Sequence, residues 1–341
     1  MIRAKGVARA AVLAAAMVLL AAGAVQATTI TIDTVTVGNP GNAADDTGYG
    51  AVAYAYNIGK YEVTAGQYTA FLNAVGGVDT YALYYTSMSR TYDGSGITRS
   101  GGGTVDNPYT YSVAADFANR PVNFVSWGNA ARFANWLNNG QPTGAQGLST
   151  TEDGAYYLNG ARTNAQLLAV SRESDWKWAI TSEDEWYKAA YYDPTTGTYF
   201  DYPTSSNTAP GQDMADASGN NANCYIAPYV YPIDSGKYTT VAGEFENSDS
   251  PYGTFDQGGN VSEWNEAIVS NAYRCRRGGS FDDPLSSLRA TGRSHGNPAS
   301  GATVGFRVCE VAEPVPEPVT MAMVGMGIAG LGGYIRRRMA R

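Results

Sequence analysis

Residues 252–308 of this 341-residue chain concentrate the side-chain types that bind and react. The segment reads YGTFDQGGNVSEWNEA, then RCRRGGSF, LRATGRS and GFRV. It carries Cys275, stops one residue short of Cys309, and contains the single histidine, His295; the third cysteine is Cys224. With one histidine and no Cys-x-x-Cys pair, a zinc or other histidine-based metal site is excluded. A Ser-His-Asp set fails for the same reason, since no nucleophile motif accompanies His295, which reads as a loop residue near Arg293. The acidic run Glu183-Asp184-Glu185 suits the first turn of a helix, where the dipole favours negative charge. Seven tyrosines (Tyr191, Tyr192, Tyr199, Tyr202, Tyr225, Tyr229, Tyr231) have the chemistry of a glycan-stacking surface, although dispersed tyrosines in extracellular loops give the same pattern.

Three short helices and several strands are expected to position these groups. Residues 29–37 alternate Thr with Ile and Val, and AYAYNIGKYEV continues as a second strand. Thr64-Ala-Gly-Gln67 opens a helix to about Val75, with Tyr68, Phe71 and Leu72 on one face. Ser126 caps a second helix in which Trp127, Ala130, Ala131, Ala134 and Leu137 recur at helical spacing. Ser182 and Glu185 frame a third, with Trp186, Ala189 and Ala190 inward. Residues 76–116 and 193–223 are polar stretches without helical period, and there is no internal repeat. With 40 glycines and 25 tyrosines, the composition is that of a turn-rich α+β domain, not of a parallel sheet with crossover helices.

The two ends differ from the middle. Residues 1–27 combine Arg3, Lys5 and Arg9 with an apolar run and small residues at Val25 and Ala27, the pattern of a secretory signal peptide cut after Ala27. At the other end EPVPEP precedes seventeen uncharged residues, 319–335, and then Arg336, Arg337, Arg338 and Arg341. That length is at the short limit for a transmembrane helix, with the arginines as cytoplasmic stop. Pro316-Glu317-Pro318 in this setting resembles the PEP-CTERM sorting signal of Gram-negative bacteria. The resemblance implies an exosortase-type sorting protease as partner, transient anchoring in the inner membrane, and export to the cell surface or extracellular matrix. The ends hold seven of the 23 basic residues, which leaves 16 against 31 acidic ones, a net charge of −15. So acidic a chain repels phosphate backbones, which argues against nucleic acid as partner.

YEVTAGQYTAFLNAV, RPVNFVSWGNAARFANWL, ITSEDEWYKAAYY, YGTFDQGGNVSEW, RRGGSF and GFRV, in that order, resemble the sulfatase-modifying factor family, the formylglycine-generating enzymes. The likeness runs over roughly residues 50–310 and assigns residues 28–310 to one such domain, flanked by the signal peptide (1–27) and the sorting signal (311–341). It implies the formylglycine-generating-enzyme-like variant of the C-type lectin fold: short helices on twisted antiparallel sheet with much loop. It also implies an oxidase whose two cysteines, shortly after the GGS motif, hold copper(I) as thiolates, because soft sulfur suits that ion. Here Gly278-Gly279-Ser280 is followed by FDDPLSSLRATGR, without a thiol, and the carboxylates of Asp282 and Asp283 cannot replace one. Copper is therefore not expected, and neither is sulfatase activation. Calcium is implied at Asn260, Val261 and Glu263, with a second site at Asn223 and the carbonyl of Cys224. The resemblance places Cys275 and Cys309 on neighbouring strands and so implies that they pair. It matches Arg289, Arg293 and Arg307 to arginines around the substrate groove; the other reading buries them against Asp282 and Asp283. The expectation is an exported, non-catalytic binding or structural module, with extracellular polysaccharide or surface proteins as partners. The alternatives are an oxidoreductase acting on a protein thiol and a lectin-like receptor, between which fold alone does not choose.

Overall fold

Each expected helix starts where its cap demands. In the computed structural model, which describes residues 29–227 and 233–312, the Thr64 hydroxyl accepts from Gln67 N while the Gln67 side chain accepts from Thr64 N, and α1 (Ala65–Val75) follows. This reciprocal pair satisfies two backbone donors that a helix start leaves open. Ser126 accepts from Asn129 N ahead of the twelve-residue α2 (Trp127–Asn138). Ser182 and Glu185 form the same box ahead of α4 (Glu183–Tyr191). The five-residue α3 (Asn164–Leu168) begins on a fourth cap, Thr163 with Gln166, and sequence periodicity gives no sign of it.

Two four-stranded sheets carry the rest. The first runs β1 (Thr34–Val37), β2 (Tyr56–Gly59), β12 (Val308–Val311), β5 (Trp178–Ile180), antiparallel throughout. The second runs β10 (Ser294–Gly296), β9 (Tyr273–Arg277), β8 (Ser262–Val269), β11 (Val304–Gly305), with β11 parallel to β8. Two ribbons complete the set: β3 (Ile97–Ser100) with β4 (Thr110–Val113), inside the polar stretch read as lacking helical period, and β6 (Tyr192–Asp193) with β7 (Thr198–Tyr199). The architecture is α+β, a few short helices on antiparallel sheet with much loop, as expected from the sequence.

The core lies where α1 and α2 meet the chain just before β12. Phe133 of α2 packs edge-on against Phe71 of α1 and against Phe306, each at 5.3 Å between ring centres. Trp136 and Tyr68 close the cluster, and all five rings are buried. Edge-to-face geometry adds to what the burial of such rings already supplies. The helix α4 sits between the sheets. Cys309 of β12 meets Glu185 at 3.5 Å, and Cys275 of β9 meets Glu183 at 3.3 Å.

The expected cysteine pairing is therefore overturned: Cys275 and Cys309 lie in different sheets, each against its own glutamate of α4, and all three cysteines are free and buried. The signal segment 1–27, Tyr229, Tyr231, and Pro316, Glu317, Pro318, Arg336, Arg337 and Arg338 of the sorting signal lie outside the described residues. Among the described residues, no helix is long and apolar enough to cross a membrane.

Candidate functional site

Two glycine turns, GGN and GGS, clamp each other and build the site. Gly259 has φ +86° and Asn260 φ +55°, and a Cβ on Gly259 would lie 2.2 Å from the Asn223 carbonyl oxygen. Only glycine permits that approach. Asn260 N donates to Asn223 O at 2.7 Å and Gly259 N to Gly278 O at 3.0 Å, while Phe281 N donates to Asn260 O at 3.0 Å. The GGS turn is thereby fixed at the mouth of β8, and the chain from residue 281 to 293 leaves it as a loop.

Nothing in that loop is a thiol. Asp283 instead folds back: its Oδ2 accepts from Ser280 N at 2.9 Å and from Ser280 Oγ at 2.7 Å. Behind it lies a cavity of about 200 Å³ whose wall includes Ser262, Arg276, Ser286, Ser287 and Arg293. Arg276 donates to His295 O at 2.7 Å and to Ser294 Oγ at 3.2 Å, and its Nε is buried with no partner. The cavity is thus polar and cationic on one side, with hydroxyls on the other. It suits hydrogen bonding to a small polar group and offers no soft ligand for copper(I).

The thiols elsewhere are out of reach and out of charge. Burial pushes the Cys224 and Cys275 thiols up to about 12, and burial followed by the Glu185 carboxylate drives Cys309 well above its ordinary range. The reactive form of cysteine is the thiolate, and burial holds all three in the protonated form.

The arginines divide. Arg307 is fully buried and forks onto Glu263, Nε to Oε2 and Nη2 to Oε1, both at 2.7 Å, and also holds the Gly59 and Phe255 carbonyls. It cannot line a groove. Arg293 reaches Glu183 at 2.8 and 2.7 Å and borders the cavity. Arg289 is exposed and donates to the Tyr202 hydroxyl at 2.8 Å. The acids that hold Arg293 and Arg307 are Glu183 and Glu263, so the expected pairing with Asp282 and Asp283 fails. Glu183 itself is not a surface ornament of α4: burial works against its charge, but Arg293 and Arg277 hold its carboxyl below the usual range.

The donor set expected for calcium is spent on protein. Glu263 gives both oxygens to Arg307 and also accepts from Trp186 Nε1 at 2.7 Å. Asn260 Oδ1 accepts from Thr240 N at 3.0 Å and from Asn223 Nδ2 at 3.3 Å. The Cys224 carbonyl accepts from Gln212 Nε2. Calcium needs six or more oxygens, carboxylates among them, and these residues do not fit it. No group of three or more His, Cys, Asp or Glu side chains suited to a metal occurs among the described residues. Of the five described tyrosines weighed as a stacking surface, Tyr191, Tyr192 and Tyr202 are buried and Tyr199 and Tyr225 half-buried. His295 sits on β10, exposed, 4.7 Å from the ring of Tyr273.

Residues 4–312 match a family model described as the sulfatase-modifying factor enzyme 1-like domain. No curated protein matches the sequence. Among solved structures, Treponema denticola variable protein 1 is 16% identical with a TM-score of 0.51, over 84% of this chain and 97% of its own. CarF is 19% identical with a TM-score of 0.49, over 83% of this chain and 99% of its own. PvdO from Pseudomonas aeruginosa is 18% identical with a TM-score of 0.42, over 82% and 92%. At 16% identity the likeness to the Treponema denticola protein speaks to fold only.

Proposed function

Because the chain belongs to the sulfatase-modifying factor enzyme 1-like family, we propose that it is a non-catalytic member, an exported binding or structural module sorted to the cell surface or extracellular matrix. One observation carries this reading: the loop after Gly278-Gly279-Ser280 has no thiol, and its Asp283 carboxylate is turned back onto Ser280. Oxygen activation by copper(I) needs thiolate ligands, and the buried Cys224, Cys275 and Cys309 do not supply them. The signal-like residues 1–27 and the Pro-Glu-Pro, apolar, arginine-rich order of residues 316–341 support the export part of the proposal.

Oxygen uptake by the purified protein with a cysteine-containing peptide, with and without added copper(I), tests it. The expected trace is that of peptide and copper without protein. Protein-dependent uptake accompanied by oxidation of the peptide thiol would establish the rival reading, an oxidoreductase acting on a protein thiol.

A further inference from the structure

Phe124 stands in a backbone conformation that its side chain resists. Its φ is +58°, a region where bulky L-residues are genuine outliers and where Asn and Gly are at home. Strain of this kind persists where the surroundings over-determine it, and it clusters at ligand sites. Neighbouring backbone holds Phe124 there: its N–H donates to Ala302 O at 2.8 Å, and Val125 N donates to Val304 O at 3.3 Å. The strained residue aims a half-buried ring at a cleft.

That cleft, of about 270 Å³, lies between residues 81–85, the start of α2 and the loop 299–301. It is separate from the cavity behind Asp283. Its apolar wall is aromatic: Tyr85 stacks on Phe124 at 6.2 Å and 25° between planes, and 55% of Tyr85 is exposed. Tyr81 continues the wall, with the guanidinium of Arg132 over its ring at 4.5 Å.

Polar atoms without protein partners face these rings. Asn129, only 9% exposed, donates Nδ2 to Ala82 O at 2.9 Å, and no described donor reaches its Oδ1. Ser126 uses its oxygen to accept from Asn129 N, which leaves its hydroxyl hydrogen free to donate. Arg162, at the rim, is exposed, and its guanidinium has no hydrogen-bond or ion-pair partner among the described residues. Flat aromatic rings, a spare carbonyl acceptor, a hydroxyl donor and one unneutralised guanidinium make a specific combination. The rings match the apolar face of a sugar, the polar pair its hydroxyls, and the guanidinium a carboxylate. The volume is below that of sites for drug-sized ligands and takes a single ring.

We infer that this cleft binds one carboxylated sugar ring of an acidic polysaccharide, with Tyr85 and Phe124 as the platform, Asn129 and Ser126 on its hydroxyls, and Arg162 on its carboxylate. The inference rests on the binding-module reading and names its ligand class.

Calorimetric titration of the full chain with galacturonic acid oligomers, against neutral galactose oligomers as control, tests it. The acidic oligomer binds and the neutral one binds at least tenfold more weakly. Tyr85→Ala, whose ring lies outside the core, weakens uronide binding tenfold or more. Phe124→Asn does the same, and because Asn accepts positive φ the relief of strain offsets part of the stability lost with the half-buried ring. Arg162→Gln removes most of the preference for the acidic oligomer while leaving the residual sugar affinity. Absence of uronide binding, or binding within twofold of the parent in Tyr85→Ala, overturns the assignment. Thiol-peptide oxygen uptake on the same preparation keeps the two failures apart. Uptake would sink the non-catalytic reading, whereas missing uronide binding without uptake sinks only the cleft.

Discussion

At the scale of single residues, the buried carboxyls around Arg307 give the protein a pH signature. Glu62, Asp256 and Glu263 share this one guanidinium. Glu263 takes the direct fork, so Glu62 and Asp256 are left with weaker help, and burial drives Glu62 well above the carboxylate range. Burial pushes Asp256 up to about 6 although Gly243 N donates to it at 2.7 Å. An unfolded aspartate titrates near 3.9. Between about pH 4 and pH 6 the folded state therefore holds a proton that the unfolded state has released. Stability falls as pH rises through that window, and the loss is complete above it. Asp256→Asn removes the titration while keeping an oxygen for Gly243 N. The variant is expected to gain on the parent by about 1 to 2 kcal/mol between pH 4 and pH 7.5, allowing for the partial exposure of Asp256. Denaturant midpoints at the two pH values measure it; a constant difference between variant and parent would show that Asp256 ionises normally. None of this is legible in the sequence, because the partners of Arg307 come from residues 62, 256 and 263, set around it by folding.

Among the elements, α4 shows what a sequence discloses and what it hides. The pair Ser182 and Glu185 predicts where the helix begins, because capping is a transaction among four consecutive residues. The same holds for Thr64 with Gln67 and for Ser126. The second task of Glu185 is invisible locally: it is fully buried, forks with Arg172 at 2.9 and 2.8 Å, accepts from Tyr54 OH at 2.6 Å and meets the Cys309 thiol. Burial opposes its charge, yet Arg172 keeps its carboxyl below the usual range. Glu183, two residues earlier, does the equivalent for Arg277 of the other sheet and for Arg293 in the loop before β10. Read alone, Glu183-Asp184-Glu185 is an acidic first turn; in the fold it is a pair of anionic pins that join α4 to both sheets. The hairpin of β3 and β4 was hidden for a related reason. Each of its strands has four residues, too few for alternation to stand out from a polar stretch. Ser182→Ala removes only the cap and costs about 1 kcal/mol. Glu185→Ala also takes from the guanidinium of Arg172 its forked partner, leaving Glu266 and the Ile180 carbonyl, and costs about 3 to 5 kcal/mol. Equal losses in the two variants, read from denaturant midpoints, would reduce Glu185 to its capping role.

At the scale of the whole molecule, stability comes from packing and ion pairs with no covalent staple. Pairing of Cys275 with Cys309 is what the family order of segments suggested, and the fold refuses it because β9 and β12 belong to separate sheets on either side of α4. The family motifs survive as scaffold: GGN and GGS clamp each other, and the arginine of GFR closes onto the glutamate of the segment Asn260-Val261-Ser262-Glu263-Trp264. These contacts need the glycines, the glutamate and the arginine, but not the thiols of an oxidase, which is why the fold is readable from sequence without them. A consequence separates this molecule from a disulfide-stapled one. Loss of a native disulfide costs about 2 to 5 kcal/mol, so a stapled chain would melt lower in reductant. Here the melting temperature is expected to be the same with and without dithiothreitol. All three thiols are fully buried, so a maleimide should label none of them in the native protein and all three once denaturant unfolds it. Labelling of one thiol after unfolding without reductant, three after reduction, and a lower melting temperature in reductant would together mean that two of the cysteines pair after all.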